Sequence, residues 1–118
     1  MRYLVLILVL SGCATFLPNP PTLERSMKIY EHIERRLGLK SIGSPAPIFM
    51  HDGNTYFAVD GNGGGIIMLN HNYTQGMLAH EICHSVQHNH GLPLLERECI
   101  EMDLLYSMAR PWFPVRRQ

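Results

Sequence analysis

The sequence carries no surplus of either charge: ten lysines and arginines are matched by ten aspartates and glutamates, and no basic run lies outside the two ends. A chain with no basic face leaves no electrostatic footprint for nucleic acid, which is set aside as a partner. Nor is any apolar run long enough to cross a bilayer, since residues 3–10 supply eight apolar side chains where about twenty are needed. Repeats and low-complexity tracts are missing, which excludes solenoids and fibrous arrays. Cysteine is scarce, with three in 118 residues, too few for a disulfide framework. What remains is a length that predicts one globular domain with a modest core.

The N-terminus reads as a targeting segment: Met1 and Arg2 give a charge, the apolar run follows, and small residues close it. Leu10-Ser11-Gly12-Cys13 resembles the lipobox of bacterial lipoproteins. That resemblance implies cleavage before Cys13 and a lipid on its thiol, with Ala14 pointing to the outer membrane, facing the periplasm, in a Gram-negative host. The expected organisation is a signal peptide over 1–12, a lipidated Cys and Pro-rich tether over 13–21, and a single domain over 22–118. Export would leave Cys83 and Cys99 as a pair where disulfides persist, and closing that loop would contribute roughly 3 kcal/mol. The alternative is that both are small buried apolar residues.

Within the domain, Leu23, Met27, Tyr30, Ile33 and Leu37 recur at steps of three and four, with Thr22 able to cap the start and Gly38 the end. This predicts an amphipathic helix whose Lys, Arg and Glu residues face solvent. After a Gly- and Pro-containing loop, apolar runs at 48–50 and 55–59 flank Asp52-Gly53-Asn54, which predicts a β-hairpin. The Gly-rich stretch 60–65 leads into Ile66-Ile67-Met68-Leu69 and so reads as a turn between strands rather than a phosphate loop. Tyr56, Phe57 and Trp112 read as core aromatics.

Between residues 74 and 90, Met77, Leu78, Ile82 and Val86 fall at helical spacing, with Gly91 and Pro93 closing the segment. Inside it stands His80-Glu81-Ile82-Cys83-His84. Positions four apart lie one turn above each other on one helix face, so both imidazoles can reach one ion at about 2.0–2.1 Å. Glu81 then lies beside the metal without ligating it, where it suits a general base toward water. The stretch 78–87 resembles the active-site helix of zincin metallopeptidases, a resemblance that extends loosely over 66–112. It implies Zn²⁺ as cofactor, peptide hydrolysis as activity, and a preceding strand, residues 65–70, that pairs with extended substrate.

A site of this type needs a third protein ligand. His88 continues the ladder, but eight residues of helical rise put it roughly 12 Å from His80. His90 fits the metzincin spacing, yet that pattern needs Gly where this chain has Gln87. The gluzincin solution is a Glu on the next helix, for which residues 94–100 offer Glu96 and Glu98. Glu96 is preferred, because Cys99 stands where gluzincins carry a small residue, whereas Glu98 would bring Glu101 into the contact. Glu98 in turn sits nearer the apolar stripe of Leu95, Cys99, Met102 and Ala109. Asp103 is either a partner of a ligating His or a solvated carboxylate. Tyr106, Tyr73, His88 and Arg110 all qualify for stabilising an oxyanion.

These readings converge on an α+β, zincin-like domain: a supporting helix, a small mostly antiparallel sheet, the HExxH helix and a C-terminal ligand helix. The expected function is a zinc-dependent metallopeptidase acting on a peptide or protein substrate, with Glu81 as general base and His80, His84 and Glu96 as ligands. The alternative is a lipid-anchored protein that holds zinc without catalysis or acts at the envelope through contacts alone. A carboxylate between the two histidines has no use in mere metal holding, which favours catalysis.

Overall fold

The computed structural model of the protein describes residues 20–109. Cys13 and Pro18 of the lipid site and tether, and Arg110, Trp112 and the basic tail, lie outside them. The described residues form an α+β fold of three helices and a three-stranded mixed sheet. In chain order the elements are α1 (Leu23–Arg36), β1 (Ile48–His51), β2 (Tyr56–Val59), β3 (Gly65–Asn70), α2 (Gln75–Asn89) and α3 (Glu96–Ala109).

Two helices start and stop by the same local chemistry. Thr22 and Thr74, both extended, cap α1 and α2 by accepting from Arg25 N and Met77 N at 3.1 Å. Both end on a left-handed glycine, Gly38 at φ 72° and Gly91 at φ 70°. The next residue's N–H closes each end, from Leu39 to Glu34 O and from Leu92 to Gln87 O, each at 2.8 Å. In α1 the buried face is Ser26, Ile29, Tyr30, Ile33 and Glu34. It is therefore rotated from the expected stripe: Leu23 is 73% exposed, while Glu34, expected in solvent, is buried. Glu34 tolerates this because its carboxylate is met by Ile42 N at 3.0 Å and His90 Nε2 at 2.8 Å.

The sheet departs from the expected hairpin. Strand order is β1-β3-β2, with β1 parallel and β2 antiparallel to β3, so β1 and β2 never pair and the sheet is mixed rather than mostly antiparallel. The reason is Asn70 at the end of β3. Its amide donates to Asp52 O and Gly53 O at 3.0 and 2.6 Å, and its N–H donates to Thr55 Oγ1 at 2.9 Å. The Asp-Gly-Asn linker is thereby carried across the end of β3 instead of folding into a turn. The Gly-rich segment does join strands: Asp60 Oδ1 accepts from Asn62 N and Gly64 N, and Gly63 takes φ 85° between β2 and β3. With β3 in the centre and hydrogen-bonded on both sides, residues 65–70 cannot accept a further strand. That corrects the expectation of substrate pairing there.

Helix α2 packs against α1, α3, β2 and β3. A helix surrounded in this way is covered on nearly every side: residues 81–87 are buried without a break, and the polar ones among them, Glu81, His84, Ser85 and Gln87, are buried with the apolar ones. The core gathers Ile29, Tyr30 and Ile33 of α1, Ile67 and Leu69 of β3, five residues of α2, and Cys99, Met102 and Tyr106 of α3. Phe57 packs against it, whereas Tyr56, expected in the core, is 44% exposed on the opposite face of edge strand β2. Helices α2 and α3 come close at Gly76, where a β-carbon would overlap Ser107 Oγ and the side chain of Asp103, and would stand 2.7 Å from Asp103 O.

Candidate metal centre

The helical spacing of His80 and His84 sets their rings edge to face on one side of α2 with centroids 5.0 Å apart. Glu96, the first residue of α3, reaches both. Its Oε1 lies 3.1 Å from His80 Nε2 and its Oε2 lies 3.1 Å from His84 Nε2. One ligand atom from each of the three residues falls within 4.8 Å of the others, so His80, His84 and Glu96 form a cluster that could hold a metal ion. The imidazoles are largely covered, at 16% and 7% side-chain exposure, while Glu96 is 68% exposed. The cluster is thus closed by α2 and open on the side of α3.

The cluster is held together from outside. Cys83, next to His84, is disulfide-bonded to Cys99, three residues after Glu96, with Cα atoms 5.4 Å apart. This crosslink draws the start of α3 onto the histidine face and answers the short connection between His84 and Glu96. Gln87, fully buried, adds a second tie. Its Oε1 lies 2.9 Å from His84 Nδ1 and accepts from Leu95 N at 3.2 Å, and its Nε2 donates to Leu95 O at 3.1 Å and Glu98 Oε1 at 2.8 Å.

His84 Nδ1 faces the Gln87 amide oxygen and Nε2 faces Glu96, so a neutral ring with its proton on Nδ1 turns the Nε2 lone pair toward the carboxylate. Two lone pairs at 3.1 Å repel unless a cation or a proton lies between them. In a tetrahedral site with ligands at 2.0–2.1 Å, neighbouring ligand atoms stand about 3.3 Å apart. The carboxylate approaches each imidazole at 3.1 Å, close to that edge, though through a different oxygen for each. Two imidazoles and a carboxylate are also the donor set of a three-ligand zinc site, so the residues present fit the ion.

The other candidates fall elsewhere. Glu98 is occupied by Gln87. His90 pairs with buried Glu34 on α1, and His88 Nε2 meets Gly63 O at 2.7 Å, tying α2 to the strand turn. Asp103 Oδ2 stands 3.8 Å from His80 Nδ1, an ion-pair distance rather than a hydrogen bond. Tyr106 is buried with its hydroxyl 2.6 Å from His32 Nδ1, and Tyr73 is buried in the core. Two neighbours escaped sequence reasoning. Gln87 lies three residues after His84, a spacing that makes side chains neighbours on a helix and could have signalled it. Phe57, whose ring lies 6.2 Å from that of His84 and 5.8 Å from that of His88, comes from β2 and no local pattern announces it.

Glu81 is buried beside this cluster. Burial pushes its carboxyl above the ordinary carboxylate range; His80 and His84 pull the other way, and Glu96 and Asp103 add to the rise. Compared with known proteins, the chain matches no family model, no curated protein and no solved structure.

Proposed function

We propose that the protein is a zinc-dependent peptidase in which His80, His84 and Glu96 hold the ion and Glu81 is the general base. The observation that carries the reading is the cluster of His80, His84 and Glu96, with one ligand atom of each within 4.8 Å of the others, beside a buried carboxyl that belongs to none of the ligating contacts. A bound zinc ion supplies Lewis acidity toward water and a peptide carbonyl. Glu81 takes the proton of the attacking water and returns it to the leaving nitrogen, and burial, which raises its affinity for a proton, favours the first transfer. Phe57 gives the site an apolar wall, and the exposed side of Glu96 is the direction of approach. The zincin resemblance of 78–87 supports peptide bonds as the substrate class; the helix, its two histidines and the Glu on the next helix match that pattern.

The lipobox-like Leu10–Cys13 segment belongs to the same reading, with the domain tethered to a membrane through Cys13 and acting outside the cytoplasm. Cys13→Ser should move the protein from the membrane fraction to the soluble one; unchanged partition with no lipid on the mature N-terminus removes the anchor. The peptidase is tested by Glu81→Gln. This variant should retain about one zinc per chain and lose hydrolysis of a peptide library that the parent cleaves. Undiminished cleavage in Glu81→Gln rules out its role as base, and a parent that binds no zinc ends the proposal.

A further inference from the structure

We infer that Gln87 is a positioning residue for the metal centre: it orients His84 as a ligand and fastens the segment that carries Glu96 in a single hydrogen-bonded unit. A primary amide offers two acceptor lone pairs and two donors. In Gln87 all four are used, by His84 Nδ1 and Leu95 N on the oxygen and by Leu95 O and Glu98 Oε1 on the nitrogen. The side chain is fully buried, so no water substitutes for any of them.

The orientation of the amide is decided far from the histidine. Leu95 presents an N–H and a carbonyl, and Glu98 presents a carboxylate oxygen. Reversing the amide would set its NH₂ against the Leu95 N–H and its oxygen against two acceptors. The oxygen must therefore face His84, where it accepts only from a protonated Nδ1. That leaves the Nε2 lone pair for the metal side of the ring. The backbone of Leu95 is held by the same amide through both its N–H and its carbonyl, and Glu96 is the next residue. Tautomer of one ligand and position of another are thus set by one side chain. The disulfide ties the same helices one turn further on, at Cys99, but makes no demand on the proton of His84 beyond a 3.5 Å approach of Cys99 Sγ to Nδ1.

This inference deepens the zinc-site reading and rests on it, but it has a readout that needs no metal. Nitrogen-15 NMR of the metal-free full-length protein at about pH 9, well above the ordinary His range of about 6.5, should find His84 protonated at Nδ1 alone. The same should hold in Gln87→Glu, whose carboxylate still accepts that proton, and Gln87→Met should show both tautomers. Competition with a chromophoric chelator should then show zinc bound about 10–100-fold more weakly by Gln87→Met, the range for losing a partner of a ligating His. Gln87→Glu should recover most of that loss despite a lower urea midpoint, because it keeps the acceptor and gives up the two donors. Mixed tautomers in the parent would overturn the inference, as would parental zinc affinity in Gln87→Met with only its unfolding midpoint lowered. A parent with the Nδ1–H tautomer that takes up no zinc would instead overturn the metal reading while leaving the amide's orienting role intact.

Discussion

Glu96 and Glu98 stand two residues apart on one helix, yet truncating them should have opposite consequences. Glu96 is 68% exposed and pairs with the two imidazoles. Glu96→Ala should therefore cost the metal-free fold under about 1 kcal/mol, including the loss of a negative charge in the first turn of α3. Its effect on zinc should be large. Sites with four protein ligands bind zinc with about 10–16 kcal/mol, so one ligand carries about 3 kcal/mol, an affinity loss on the order of 100-fold. Glu98 reverses the pattern. Its Oε1 accepts from buried Gln87 Nε2 at 2.8 Å, and Glu98→Ala leaves that N–H without its partner, which costs about 1–3 kcal/mol. Zinc affinity should stay within about tenfold of the parent, because three of the four Gln87 bonds remain. Chelator competition reads the first quantity, and the urea midpoint of metal-free protein reads the second. Zinc lost in Glu98→Ala and retained in Glu96→Ala would refute the assignment of the third ligand.

Gly76→Ala should destabilise the protein by about 1 kcal/mol, since overpacking against the Asp103 backbone outweighs the helix propensity gained by Ala; a neutral or stabilised variant in urea unfolding would show that α3 yields at no cost. Replacing both Cys83 and Cys99 with Ser should lower stability by about 3 kcal/mol for a loop closed across 16 positions, and should weaken zinc by freeing the start of α3; unchanged affinity would leave Gln87 as the sole tie that matters. Burial holds the Tyr30, Tyr73 and Tyr106 hydroxyls above their ordinary value of 10.0, so the stability they contribute is full below about pH 10 and is lost as pH rises past it. His32 is shifted the other way, below 6.5, by burial and then by Arg35 and Arg36, so its contribution is present above about pH 6.5 and is lost as pH falls. A urea midpoint that stays flat from neutral pH to about pH 11 would contradict the tyrosine part.

How much of this was legible beforehand depended on the range of the interaction. The helix over 75–89 and its two neighbouring histidines follow from spacing alone, because residues four apart share a face in any α-helix. The caps at Thr22 and Thr74 and the glycine ends at Gly38 and Gly91 are equally local, each satisfied within a few residues of chain. Preference for Glu96 over Glu98 was readable too, though from a resemblance rather than from geometry. Where partners lie far apart in sequence, local pattern was silent or misleading. Asp52-Gly53-Asn54 has the composition of a hairpin turn, but Asn70, sixteen or more residues away, captures its carbonyls and sends β2 to the far side of β3. Glu34 has the look of a solvated helix residue until His90 and Ile42 N arrive to pair it. Gln87 is the clearest case: its spacing from His84 is local, but the direction its amide faces is dictated by Leu95 and Glu98 after the chain has reversed. Sequence by itself determined which side chains could bind a metal. Only the tertiary structure decided which of them share a point in space, because a buried amide, a crosslink and a crossed-over linker act through contacts that exist only once the chain has folded back on itself.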